Sequence, residues 1–113
     1  MILDKSYAFA NRVVRLYKYL YGEQREWVLS QQLLRSGTSI GANVREAQRA
    51  QSRKDFTAKL NVALKESYET EYWLELLRDN EYITKGQFDS IFNDCRELTN
   101  ILSQIVITSK TKK

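Results

Sequence analysis

Histidine and proline are absent from this chain; among its 113 residues cysteine occurs once and glycine four times. Each scarcity excludes something. Without histidine, and with only Cys95, the usual transition-metal ligand sets cannot be assembled. Cys95 falls on an apolar stripe, which fits a buried, inert thiol in a reducing, cytoplasmic setting better than a nucleophile or a disulfide partner. Long apolar runs are missing too. The longest uncharged run, 98–109, is interrupted by polar residues and too short to span a bilayer. The opening MILDKSYAFANR meets charge at once and carries no secretory pattern. A P-loop, a dinucleotide-binding glycine pattern and zinc spacings are all lacking, so no cofactor, metal, membrane or small-molecule substrate is implied.

What is present is helical periodicity. Apolar residues recur at threes and fours rather than twos, and with no proline to interrupt them this predicts an all-α protein. A single domain over 1–113 is expected, with helices at about 5–21, 24–50, 53–79 and 85–108. Their inward stripes begin with Phe9, Val13, Leu16 and Leu20 in the first helix. In the third they form the heptad Phe56, Leu60, Ala63, Ser67, Thr70, Leu74 and Leu77. The fourth contributes Phe88, Ile91, Cys95, Leu102 and Val106. Ser52 with Asp55, and Thr84 with Gln87, read as capping-box starts of the third and fourth helices. Short links between long helices give an antiparallel up-down-up-down four-helix bundle.

The second helix carries most of what is not generic. Leu33, Gly37, Ile40, Val44 and Ala47 form its apolar stripe; Ser36, Ser39, Asn43 and Glu46 form a small polar one. Gly37 and Gly41 each cost about 1 kcal/mol relative to alanine inside a helix. That cost is explained where a second backbone must come close. The competing reading is a break at Gly37 with a new cap at Thr38 or Ser39. The apolar stripe keeps its phase across both glycines, which favours a continuous helix. Ser67 and Thr70 interrupt the heptad of the third helix where Ser39, Asn43 and Glu46 would face it, so these five are expected to form a buried polar network. Catalysis would need a titrating pair, and only Glu46 with Glu69 offers one; no nucleophile–base constellation accompanies it, and no enzyme is expected.

Charge is divided along the chain. Residues 1–65 hold twelve Lys/Arg against five Asp/Glu, whereas 66–109 hold three against nine, and Lys110, Lys112 and Lys113 follow. Such a division suits a phosphate-binding face, for which Arg12, Arg15, Lys18, Arg35, Arg45, Arg49, Arg53 and Lys54 are the candidates. It equally suits a head-to-tail oligomer in which the basic half of one copy meets the acidic half of the next. A second apolar set on the third helix, Val62, Tyr72, Trp73 and Leu76, lies away from the heptad and is the expected subunit interface.

The stretch LLRSGTSIGANVREAQRAQSRKDFTAKLNVALKESYETEYWLELL, with SIGAN, the pair Asn43 and Glu46, and ETEYWL as its most specific parts, resembles a bacterial family of four-helix-bundle proteins. Its first described members are encoded in intervening sequences of large-subunit ribosomal RNA genes. The resemblance runs from SYAFANRVVRLYKYL through EYIT. It implies a ring-shaped homopentamer, ribosomal-protein-like, with no enzymatic activity. A similar bundle is the accessory subunit of diversity-generating retroelement reverse transcriptases, whose basic ring engages nucleic acid. The resemblance therefore implies RNA or another nucleic acid as partner; the alternative is a protein-interaction scaffold whose basic half serves self-assembly alone.

Overall fold

Helical segments with no proline and strong apolar stripes have nothing to stop them except their caps, and they run long. The structure, a computed structural model, describes residues 1–111. It contains α1 (Ile2–Gly22), α2 (Leu29–Ala47), α3 (Arg53–Asp79) and α4 (Lys85–Thr111), with no strand among the described residues. Consecutive helices pack side by side, and α4 closes back on α1 to complete an all-α antiparallel bundle. Its extents are 49 × 21 × 21 Å, so one long axis dominates.

The stripes read from the sequence point inward. Leu33, Gly37, Ile40, Val44 and Ala47 of α2 are buried, as are Leu60, Ala63, Ser67, Thr70, Leu74 and Leu77 of α3, with Phe56 half-buried. Phe9, Val13 and Leu20 meet them from α1, and Phe88, Ile91, Cys95, Leu98, Leu102 and Val106 from α4.

The helix ends differ from the periodicity in instructive ways. The second helix, expected over 24–50, starts at Leu29 and stops at Ala47. Glu26 is not a first-turn acid. Its carboxylate caps the helix from outside, accepting from the backbone N–H of Ser30 at 2.6 Å and of Val28 at 3.3 Å. The chain reverses just before it, with Arg25 at φ 54, a left-handed conformation unusual for a side-chain-bearing residue. At the other end Gln48, Arg49 and Ala50 donate to the carbonyls of Arg45, Glu46 and Ala47, three residues back, and the helix tightens to a close. The first helix begins three residues earlier than expected, at Ile2, and the fourth continues through Thr111. Of the expected frayed tail, Lys110 is helical; Lys112 and Lys113 lie outside the described residues.

The caps of α3 and α4 follow their sequence signatures. Ser52 Oγ accepts from Asp55 N at 3.0 Å, but Asp55 returns to Gln51 N rather than to Ser52, so only half the box closes. Thr84 and Gln87 close theirs in both directions, at 3.1 and 2.8 Å.

No break occurs at Gly37: α2 is continuous through both glycines. Their purpose is the approach of α1. A Cβ on Gly37 would stand 2.7 and 2.8 Å from the two methyls of Val13, and one on Gly41 would stand 3.3 Å from the carbonyl oxygen of Ser6. Valine is stiff at χ1 and cannot swing its methyls aside. Gly37→Ala should therefore destabilise the fold by about 1–3 kcal/mol despite alanine's better helix propensity. In urea denaturation the loss should be partly recovered in the Gly37→Ala/Val13→Ala double variant; strict additivity of the two single changes would disprove the contact.

Candidate nucleic-acid interface

Polar groups in the bundle sort into those consumed by the fold and those left over. Buried hydroxyls line the α2–α3–α4 seam. Thr70 Oγ1 donates to Ser36 Oγ at 2.9 Å across α2 and α3. On the other side of α3, Thr99 Oγ1 lies 3.0 Å from Ser67 Oγ and 2.7 Å from Glu71 Oε2, and Arg96 donates to Glu71 Oε1 at 3.1 Å. This corrects the expected network. Ser67 and Thr70 belong to the seam, but Ser39, Asn43 and Glu46 do not. Asn43 bonds the backbone carbonyl of Ser39 within its own helix, and Glu46 is exposed and pairs with Lys59 at 3.1 Å. The residue of α2 that faces α3 is Ser36, one turn earlier on the same polar stripe. Glu71 and Arg96 were not foreseen in this network, because an acid–base pair at a core edge has no signature in periodicity; Thr99 shares the inward side of α4 with Leu98.

Glu46 and Glu69 do not meet either. Glu46 is level with Lys59, ten residues from Glu69 along α3, which is about 15 Å. Glu69 is held by Arg35 and by the indole N–H of Trp73 at 3.1 Å. Among the described residues no group of three or more Cys, Asp or Glu could hold a metal ion.

The eight candidate cations do not form one face. Arg12 is turned onto α4, where it pairs with Asp94 at 2.6 Å and donates to the Ser90 carbonyl and hydroxyl. Arg35 lies between Glu69 and Glu66, the latter at 3.6 Å. Arg45 lies over the ring of Tyr7, 5.6 Å from its centroid. Arg15, Lys18, Arg49, Arg53 and Lys54 are exposed and form no ion pair among the described residues. Arg15 and Lys18 are on the far half of α1. Since Tyr7 marks the level of Arg45, Arg15 and Arg49 are separated by about 18 Å along the bundle axis.

One coherent cluster remains. Arg45 lies in the last turn of α2 and Arg49 in the turn that follows, Arg53 and Lys54 open α3, and Lys110 in the last turn of α4 joins them at the same end. The carboxylates there are Asp4, Glu46 and Asp55; Glu46 is already taken by Lys59, and Asp55 accepts from Gln51 N. Arg53 and Lys54 in the first turn of α3 oppose the helix dipole, which favours anions at that position. Beside them, between the α2–α3 turn and the end of α4, is a pocket of about 560 Å³.

Comparison with known proteins identifies the family and the fold. The family model described as 23S rRNA-intervening sequence protein matches residues 1–104. The chain belongs to this family. Its backbone is similar to the crystal structure of a protein of unknown function from the S23 ribosomal protein family of Bacteroides thetaiotaomicron, with TM-score 0.93 and 60% identity over 94% of this chain and 98% of that one. No curated protein matches the chain. The 23S rRNA-intervening sequence family is ribosomal-protein-like and is not a known enzyme class. No helix among the described residues of this member is long and apolar enough to cross a membrane.

In this family member the expected interface residues are divided. Val62 and Tyr72 are 43% and 55% exposed, whereas Trp73 and Leu76 are half-buried, with Trp73 packed against its own core and in edge contact with Tyr72. Tyr68, 51% exposed, extends the outer surface and was not among the candidates. Cys95 is fully enclosed and donates to the Ser67 carbonyl at 3.5 Å. Burial, with Glu71 nearby, pushes its thiol far above the ordinary range, so no thiolate forms in the folded protein at neutral or mildly alkaline pH. Thiol-specific labelling at pH 8 should therefore proceed only through unfolding, with a rate that rises with urea in step with the unfolding rate. Fast labelling of the native protein would contradict this burial.

Proposed function

We propose that this protein is a non-enzymatic, cytoplasmic helical-bundle protein that binds RNA at its basic end and multiplies that contact by self-assembly, as a homopentamer. The observation that carries the reading is the pattern of ion pairing. Along the sides of the bundle Arg12 is neutralised by Asp94, Arg35 by Glu66 and Glu69, and Arg96 by Glu71, while Arg15 and Lys18 on α1 and Lys65 on α3 are exposed and in no ion pair among the described residues. At the end formed by the α2–α3 turn, Arg49, Arg53, Lys54 and Lys110 form no ion pair among the described residues. A polyphosphate chain supplies the missing counter-charge, largely without regard to sequence.

The scaffold alternative needs free acids on the α3–α4 half to meet these cations in another copy. Of the nine Asp/Glu in 66–109, all but Glu75 and Glu81 are in ion pairs within the chain. Self-assembly is better supported through the outer surface of α3, where Val62, Tyr68 and Tyr72 are exposed together. Several copies then present several basic ends to one strand, and weak contacts add through effective concentration.

Fluorescence anisotropy with labelled single-stranded RNA should show binding that weakens steeply with salt. Arg49→Ala/Arg53→Ala/Lys54→Ala should lower the low-salt affinity by at least about tenfold and reduce the log–log salt slope by roughly 2, at about 0.7 per phosphate contact. Arg12→Ala should leave both unchanged. No binding to RNA or DNA at about 50 mM salt would refute the proposal. Separately, Tyr72→Glu should reduce the mass measured by light scattering to that of a smaller species; an unchanged mass would exclude this surface from assembly.

A further inference from the structure

The pocket beside the basic end has a composition that phosphate binding alone does not require. Ala47, Phe56 and Ile105 supply apolar wall, and Gln48 and Gln104 stand at its margin with Arg53. Phe56 and Ile105 are only partly buried and pack on the core from within, so they form a fixed wall. No residue of α1 contributes, which leaves the pocket open between the α2–α3 turn and α4. Its volume of about 560 Å³ falls in the usual range for small-ligand sites, about 300–1,000 Å³.

Three features coincide here. Apolar walls accept a flat, weakly hydrated ring. The Gln104 amide offers a donor pair and an acceptor, the complement of a base edge, whereas Gln48 donates to the Val44 carbonyl at 3.3 Å and contributes its amide oxygen. Arg53, with Lys54 and Lys110 adjacent to it across a neighbouring apolar surface, attracts the phosphates on either side of such a ring. A duplex cannot use this arrangement, because its bases are stacked and paired, whereas a single strand can turn a base out of the backbone path.

We infer that the pocket receives an unpaired nucleobase, so that the basic end selects single-stranded over double-stranded nucleic acid. This rests on the reading of the basic end as a polyanion site and adds a base-dependent contribution to it. Charge complementarity at the mouth commits the pocket to this occupant rather than to an apolar segment of protein.

The test compares three labelled probes of equal length with the full chain: a single-stranded RNA of 12 nucleotides, the same strand with abasic residues, and a blunt duplex. The intact strand should bind at least about fivefold more tightly than the abasic one, the range expected for one sheltered base. Thr108→Trp, on an exposed position lining the pocket, should bring the intact strand down to the abasic level while leaving abasic binding unchanged. Gln104→Leu, also exposed, gives a second reading should the tryptophan lower thermal stability. Equal binding of intact and abasic strands overturns the inference and leaves the polyanion reading standing. Absence of all binding at low salt removes both. A change in molecular mass with Thr108→Trp, without loss of base preference, makes a second copy the occupant and also overturns it.

Discussion

The close approach of α1 to α2 at Gly37 and Gly41 is the constraint on which the remaining geometry depends. The methyls of Val13 occupy the space a Cβ on Gly37 would need, and the Ser6 backbone comes almost as near to Gly41. A helix that carries about 1 kcal/mol per glycine must offset it in contact, and the offset is the close approach of Val13 at Gly37, with Phe9, Val13, Ile40 and Val44 buried in one core. Because α1 sits this deep, α2 is rotated so that Ser36 faces Thr70 and Arg35 faces Glu66 and Glu69. One side of α2 is thus spent on glycine contacts with α1 and another on hydroxyl and ion contacts with α3.

The polar seam follows the same logic on α3. Ser67 and Thr70 replace apolar residues in the heptad, and each finds a partner on a different neighbour, Thr99 on α4 and Ser36 on α2. Hydroxyls of this kind add little net stability, about 0.5–1.5 kcal/mol each, but an alternative register would bury them unpaired at greater cost. Glu71 is the more demanding member. A nearly buried carboxylate is tolerable because Thr99 and Arg96 both engage it. At the opposite end of the bundle Arg78 performs a related task, lying over Phe88 at 4.4 Å and pairing with Asp79, so that the α3–α4 turn is clamped.

Periodicity reported the fold well because the inward stripes are set by burial, and burial depends on every third or fourth residue whatever their partners. It located Leu33, Ile40 and Val44, and it found the caps at Ser52 and Thr84, whose chemistry is local. It placed the start of α2 too early because nothing in the spacing of 24–28 marks the reversal at Arg25, after which Glu26 caps the helix from outside. The polar network was assigned to Ser39 and Asn43 for a related reason. Helical spacing identifies a stripe but not how the neighbouring helix is rotated, and the glycine contacts with α1 turn that stripe so that Ser36 takes the buried place. The cations were the least legible. Arg12 and Arg49 are indistinguishable by spacing and charge, yet one is neutralised by Asp94 and the other is not.

That last difference has a geometric origin. A cation along the middle of a rod has another helix lying parallel to it, and that helix supplies carboxylates at the same level. Arg35 and Arg12 are such residues, and both are paired. Past the last turn of α2 the neighbouring last turns of α4 carry Lys110 and no carboxylate. Arg49 sits in the turn itself, and Arg53 and Lys54 project from the first turn of α3, where the helix dipole adds to their charge instead of compensating it. Arg15 and Lys18 on α1 are unpaired as well, but the largest group of unpaired cations in this bundle is at the α2–α3 end. The choice of five basic residues for that end, with Glu46 withdrawn by Lys59 and Asp55 turned to the backbone, makes the end rather than the side of the molecule the place where an external polyanion meets the least competition.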